Sequence, residues 1–352
     1  MSKSNLIRFL LRPDVQAFYQ GEADLPVLPV LVDINRLAIR TGSSPGSAAW
    51  AFYELVLHSL ALELQRRPEM GRLLKLVSQL HQEVVLNENG LLALRNLERA
   101  VDRICHDRKI RLALLIDEAD PFYQHTDANI LFNLRGLRDQ YKYFLCYILF
   151  LRTSLDRLRK PDECESFDEL FNRNVLGLKP YTAADAERVA LQLEVRKELE
   201  LSAEQRGNLL KITGGHPGLM VAGFDVLARA GQPAQQFDPP FWLEQPEIAA
   251  ECKKIWDSLQ DDERHGLQQA LVGLDRSVHT PGIDQLLLKG LLVADSGPRM
   301  EIFSPLLARF VEQKPSTAAD LWVDDKTATA WVAGKPVSDL TPGEFQLLKI
   351  LF

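Results

Sequence analysis

The sequence predicts an α/β chain, a parallel sheet covered by helices, followed by smaller and mostly helical modules. Two observations carry this. Four short apolar runs, Val27–Val32 (VLPVLV), Leu112–Ile116 (LALLI), Phe144–Leu151 (FLCYILFL) and Asn174–Leu178 (NVLGL), scarcely alternate, as in strands buried on both faces. Between them, Ala48–Arg67 and Leu92–Arg108 place apolar residues at three- and four-residue spacing with charges between, the pattern of amphipathic helices. With 352 residues, 46% hydrophobic and 25% charged, the chain has material for about two or three such modules and is neither disordered nor fibrous.

The elements follow in order. Pro29 in the first run is an awkward strand residue, since proline cannot donate to a ladder. After Leu178 the pattern turns helical: Thr182 caps a helix over 183–199 and Ser202 one over 203–212. The Gly-Gly-His-Pro-Gly break at 214–218 separates these from an apolar helix over 219–228. Residues 231–247 carry several prolines and little periodicity and read as a linker. Helical patterns near 249–259, 261–273 and 281–290 then precede a hairpin signal around a Ser-Gly-Pro turn, which suggests a winged helix over 248–312. A second linker, 313–320, leads to strand-like stretches near 321–323 and 330–332. The segment Leu340-Thr341-Pro342-Gly343-Glu344 then opens a helix with Thr341 as cap, Pro342 in the first turn and Glu344 completing a capping box. The domain reading is therefore a core over 1–160, a last core strand with a helical lid over 161–230, the linker, the winged helix, the second linker and a final module over 321–352.

Charge and cysteine usage exclude several function classes. A net charge of −7 argues against a general affinity for nucleic acid. The four cysteines lie far apart without a CxxC pair, which suggests neither a disulfide framework nor a cysteine zinc site and points to a reducing cytoplasm. No apolar run reaches membrane-spanning length, so no membrane partner is expected.

The strongest chemical signal is Leu112–Asp120, LALLIDEAD, an apolar strand ending in adjacent carboxylates. Phosphoryl transfer from a nucleotide needs one acid at a strand end for the Mg²⁺ shell and another to orient or deprotonate the attacking water. Asp117 fits the metal role and Glu118 the catalytic one, while Asp120 reads as a solvated turn residue. The plain alternative is that these acids cap the following turn. The companion of such a pair is a glycine-rich phosphate loop ending in Lys-Ser. Here Lys3 and Ser4 match only its end, Lys3 for the phosphates and Ser4 for the metal, and the glycines whose N–H groups would cradle the phosphates are absent.

With these residues in view, 3–312 resembles the STAND branch of AAA+-type P-loop ATPases. The resemblance rests on SKSNLIRFL at 2–10, VLVDINRLA at 30–38, LLIDEAD at 114–120, TGGHPGLM at 213–220 and IFSPLLARFV at 302–311. It implies a P-loop NTPase-like sheet lacking its first strand, ATP and Mg²⁺ as cofactors, and a nucleotide-dependent switch with slow hydrolysis. It also implies His216 and Pro217 near the nucleotide base, and a sensor polar residue at Arg152-Thr153, for which Thr153 is the candidate. Outside the resemblance, a turn histidine such as His216 reads as solvated. The stretch from Leu321 to Phe352, with LTPGEFQLL at 340–348, is similar to the opening of an OmpR-type winged-helix output domain, whose base-reading helix would come later. DNA is therefore expected as a partner only through a complete version of that domain, and other protein domains or self-association otherwise.

Two further readings stay open. Helix 281–290 offers Lys289 as its only basic side chain, so packing against the ATPase core or a partner is expected there rather than major-groove reading. The basic stretch 133–160, with Arg135, Arg138, Lys142, Arg152, Arg157, Arg159 and Lys160 against Asp139 and Asp156, reads as a solvated face or as the place of a phosphate-sensing arginine. The missing strand would belong between Asn174–Leu178 and Phe144–Leu151, so the chain is read as incomplete at both ends, with weakened ATP binding. The competing reading is a non-enzymatic scaffold that kept a P-loop fold and acts through protein contacts.

Overall fold

The computed structural model describes residues 3–21, 25–37, 45–230, 237–294, 297–314, 321–324, 329–332, 335–337 and 340–351. They divide into two units, one of Lys3–Val175 and one that includes Leu176–Phe352.

The first unit opens with α1 (Lys3–Leu10) and α2 (Pro13–Gly21), then β1 (Val27–Asp33), α3 (Pro45–Gln65), α4 (Gly71–Asn87) and α5 (Gly90–Asp102). It continues with β2 (Arg111–Asp117), α6 (Ala119–His125), α7 (Ala128–Gln140), β3 (Leu145–Leu149), α8 (Leu155–Leu158) and α9 (Pro161–Asp168). The three strands form a parallel sheet in the order β1-β2-β3, with Asp33 in register with Asp117 at the carboxyl ends. The α/β class and the three strand runs before Asn174 are thus as the sequence predicts. Pro29 sits inside β1 without difficulty because β1 is an edge, where one side of the backbone owes the ladder nothing.

The sheet is the middle of three layers. Leu28, Val30 and Val32, with Leu112, Leu114 and Ile116, face a large core built with α3, α4, α5, α7 and α9. On the opposite face Ile7 of α1 packs on Leu115 and Phe150, flanked by Leu6, Leu10, Leu11 and Leu31. Burying Ile7 alone is worth about 2 kcal/mol, and it anchors the helix that carries Lys3. The expectation that every strand is buried on both faces fails at β3, where Cys146 and Ile148 are exposed.

The predicted strand at Asn174–Leu178 is not formed. The chain is irregular there, Val175 and Leu176 are exposed, and the boundary between the two units passes between them. A strand exists only through a ladder partner, and this segment has none among the described residues. Residues 161–175 instead belong to the first unit, where Cys164 and Phe167 of α9 fill the core.

The second unit contains α10 (Ala183–Lys197), α11 (Ala203–Thr213), α12 (Pro217–Ala230), α13 (Pro239–Leu243), α14 (Pro246–Asp257) and α15 (Asp261–Val272). Next come β4 (Leu274–Asp275), α16 (Pro281–Lys289), β5 (Leu292–Val293), β6 (Arg299–Ile302) and α17 (Pro305–Glu312). Thr182 accepts from the Asp185 N–H, and Ser202 forms a complete capping box with Gln205. The strands pair antiparallel in the order β4-β6-β5. One continuous core runs from Ala186 through Trp242 to Val311, so the residues expected as a lid and those expected as a separate small domain share their packing.

Residues 231–236 of the first expected linker lie outside the described residues, and the rest of that linker is structured. Pro239 and Pro246 stand in the first turns of α13 and α14, where the missing N–H costs nothing, and Trp242 between them is fully buried against Phe237. Of the second linker, 315–320 also lie outside the described residues. Beyond it β7 (Leu321–Asp324), β8 (Thr329–Val332) and β9 (Lys335–Val337) form an antiparallel sheet in that order, one strand more than expected. Helix α18 (Pro342–Leu351) then starts on the predicted box, with the Thr341 N–H donating to Glu344 at 2.8 Å and the Glu344 N–H to the Thr341 hydroxyl at 3.4 Å. No described helix is long and apolar enough to cross a membrane.

Candidate functional site

In an open parallel sheet, ligands are met at the carboxyl ends of the strands. Here those ends bring together residues from four elements of the first unit. Strand β2 delivers Asp117, and β1 delivers Asp33 beside it in register. Glu118 follows at once in a left-handed conformation, φ 51° and ψ 44°. This is a costly backbone for a residue with a β-carbon, and it bends the chain sharply out of the strand before α6. The Asp117 carboxylate accepts the Glu118 N–H at 2.9 Å, which fixes the corner.

Lys3, in the first turn of α1, puts its ammonium 3.6 Å from Glu118 Oε1. The Lys3 Nζ is itself buried and donates no hydrogen bond to any described residue. A buried ammonium has given up hydration, so an anion that could accept from it would be favoured at this position. From the loop after β3, the Arg152 guanidinium meets Glu118 Oε2 at 2.9 Å. Burial, with Glu118 and Asp33 nearby, raises the Asp117 carboxyl above the usual range, while Lys3 opposes the shift. Three acids at adjoining strand tips repel one another unless a cation sits among them, and carboxylate oxygens are the donor set a hard divalent ion such as Mg²⁺ takes. The residues present therefore fit a phosphate-bearing ligand with its metal: an unsatisfied ammonium on one side, clustered carboxylates on the other.

Of the predicted site residues, the structure brings Lys3, Asp117 and Glu118 together directly. Thr153 is held beside them, its N–H donating to Asp120 at 2.9 Å. The backbone of Ser4 lies in α1, and its side chain lies outside the described residues. Two contributors escaped the sequence reading. Asp33 is visible only once β1 and β2 are in register. Asp120, read as a solvated turn residue, instead accepts from the Arg152 N–H at 2.9 Å and from that of Thr153, so it sets the loop that aims Arg152 at Glu118. Two other cations of the basic stretch are engaged in the fold. Arg135 pairs with Asp139 and donates to the Ser166 carbonyl, and Arg159 donates to the Tyr123 and Thr126 carbonyls.

His216 and Pro217 lie in the second unit, at the corner between α11 and α12. The histidine is not the solvated loop residue that the isolated turn suggests. Its ring lies 5.7 Å from that of Phe303, its Nδ1 accepts the Leu219 N–H at 3.4 Å, and burial pulls its pKa down to about 4. Gly214, at φ +58°, lets the Phe303 carbonyl approach so closely that a β-carbon would lie 2.3 Å from it, and the Ser304 hydroxyl donates to the Ile212 carbonyl at 2.7 Å. The Gly-Gly-His-Pro-Gly and Ile-Phe-Ser-Pro segments, almost ninety residues apart, are thus two halves of one contact. In α16, Lys289 is paired with the buried Glu263 carboxylate of α15 at 2.6 Å, a contact within its own unit.

No protein-family model and no curated protein matches the chain. Solved structures do. A Walker-type ATPase of Pyrococcus abyssi matches with a TM-score of 0.53 and 15% identity, over 86% of this chain and 97% of that one. The ORC2 protein of Aeropyrum pernix, solved as ADPNP–ADP complexes, gives a TM-score of 0.41 and 14% identity over 88% of this chain and 82% of that one. Drosophila ORC bound to DNA gives 0.34 and 16% over 97% of this chain and 86% of that one. The first of these likenesses, taken with the parallel sheet, shows a P-loop NTPase-like α/β fold.

Proposed function

We propose that the Lys3–Val175 unit is a nucleotide-binding ATPase module of the STAND type, in which ATP with Mg²⁺ acts as a conformational switch and is hydrolysed slowly. The observation that carries this reading is the buried, unsatisfied Lys3 ammonium 3.6 Å from Glu118 at the strand tips. In it, Lys3 holds the β- and γ-phosphates, Asp117 faces the metal with Ser4, and Thr153 reports on the phosphate from the loop fixed by Asp120. Glu118 takes a proton from the attacking water. Bound Mg²⁺ would neutralise charge on the phosphate oxygens.

In the structure Glu118 is held by two cations, Lys3 and Arg152. Both oxygens of the carboxylate are thereby engaged. Drawing Lys3 away toward phosphate frees one of its oxygens, so the same movement that satisfies the ammonium releases the catalytic carboxylate. The loss of that ion pair is the local event the switch would transmit. The winged-helix character of 248–312 and the OmpR-type output role of 321–352 belong to this proposal. Since Lys289 is engaged by Glu263, the proposal assigns α16 to packing and reserves DNA for the output domain.

The double ion pair on Glu118 also favours a second reading, a scaffold whose strand tips are closed by their own side chains without nucleotide. Isothermal titration of the chain with ATP·Mg²⁺ separates the two: heat at micromolar affinity that Lys3→Met abolishes supports the switch, and silence supports the scaffold. In single-turnover assays, Glu118→Gln should slow hydrolysis by roughly 10²–10⁴-fold with nucleotide binding retained. Equal turnover in the variant would remove Glu118 from the chemistry.

A further inference from the structure

Away from the strand tips, helices α3 and α4 carry a cluster that neither the sequence motifs nor the ATPase reading uses. Glu54 and His58 stand one turn apart on α3, on the same face, and His81 comes from α4 packed against it. One donor atom from each residue lies within 4.8 Å of the other two, and all three side chains are half-buried. His81 Nε2 and Glu54 Oε1 are 2.6 Å apart, and the two imidazole rings lie with centroids at 5.3 Å, tilted by 43°.

We infer that Glu54, His58 and His81 form a binding site for a first-row divalent transition metal of the Zn²⁺ class, clamping α3 to α4. Two imidazole nitrogens and one carboxylate oxygen are a donor set of borderline hardness, suited to Zn²⁺, Co²⁺ or Ni²⁺ rather than to Mg²⁺ or Ca²⁺, which prefer oxygen alone. Three protein ligands leave a fourth position for water. Tetrahedral bonds of ordinary length require donor atoms about 3.3 Å apart, and the three donor atoms here lie within 4.8 Å of one another. A simple inter-helix tie would need only His81 and Glu54, and His58 adds nothing to it.

Arg36 is the gate. Its guanidinium donates to His58 Nε2 at 3.0 Å, so a metal bound through this nitrogen would compete with it, and it is an exposed residue at the end of the short turn after β1. Metal entry must displace it, so removing it should help.

The test is isothermal titration of the full chain with Zn²⁺ alone, in a Cys146→Ser background that removes the exposed thiol. One equivalent should bind at micromolar affinity, His58→Ala, His81→Ala and Glu54→Gln should each weaken it by about 10–100-fold, and Arg36→Ala should tighten it by about tenfold. No saturable binding tighter than about 0.1 mM, or binding untouched by the His58 and His81 changes, overturns the inference. Co²⁺ on the unmutated residues guards against variants that fail to fold. An intense visible band of a four- or five-coordinate ion with imidazole ligands supports the site, and the pale spectrum of the hydrated ion refutes it.

Discussion

Gly214 and Gly207 belong to the same helical segment and should respond to the same substitution with opposite sign. Gly207 lies inside α11 with nothing within 4 Å of where a β-carbon would point. Gly207→Ala therefore only lowers the entropy of the unfolded chain and should stabilise by about 0.5–1 kcal/mol. Gly214 ends the helix at φ +58°, where a β-carbon would sit 2.3 Å from the Phe303 carbonyl oxygen and 2.6 Å from the Phe303 ring. The left-handed backbone costs an alanine about 1–2 kcal/mol, and the overlap with backbone that cannot rotate away adds about 1–3 kcal/mol. A net loss of about 3 kcal/mol corresponds to roughly a hundredfold faster hydrogen exchange wherever opening of this contact limits it. Exchange measured peptide by peptide over 203–230 and 303–312 reads both variants against the parent and separates them from events in the other unit. Faster exchange in both segments of Gly214→Ala, and slower or equal exchange in Gly207→Ala, is the expected result. Parent-like exchange in Gly214→Ala would show that the two segments do not hold each other.

Two further outcomes follow from the same geometry. His216 is neutral in the fold with its pKa pulled down to about 4 by burial. Its folded value lies below the ordinary one near 6.5, so its contribution to stability is complete above about pH 6.5 and is lost as pH falls toward 4. Denaturation of the parent and of His216→Gln across that window should show the difference between them shrinking toward acid, and a constant difference would refute the assignment. Asp120→Ala removes the acceptor of the Arg152 and Thr153 N–H groups, charge-assisted bonds together worth about 2 kcal/mol. Exchange over 150–155 should rise by at least tenfold, and no change there would mean that Asp120 does not set the loop.

Much of the fold was legible because periodicity and capping are local. The runs at 27–32 and 112–116, the caps at Thr182, Ser202 and Thr341, and the acid pair at 117–118 all lie where residue type and spacing place them. The failures share a cause. Asn174–Leu178 has the composition of a strand, but a strand is a relation between two segments and this one has no partner among the described residues. Residues 237–247 have the prolines of a linker, yet Trp242 drives them into the core and the prolines serve as helix starts. Asp120 looks like any turn acid until the loop after β3, some thirty residues on, is laid across it.

By itself the sequence determined the α/β class, most of the elements and the chemistry available at one strand end, since these depend on neighbours within a few turns of chain. Only the tertiary structure decided what those groups do to one another. It set Lys3 against Glu118, aimed Arg152 at the same carboxylate, brought Asp33 beside Asp117, and joined His81 to Glu54 and His58. The reason is physical: charge and coordination act through distances of a few ångströms, and residues distant in sequence reach those distances only when the sheet register and the helix packing have been fixed.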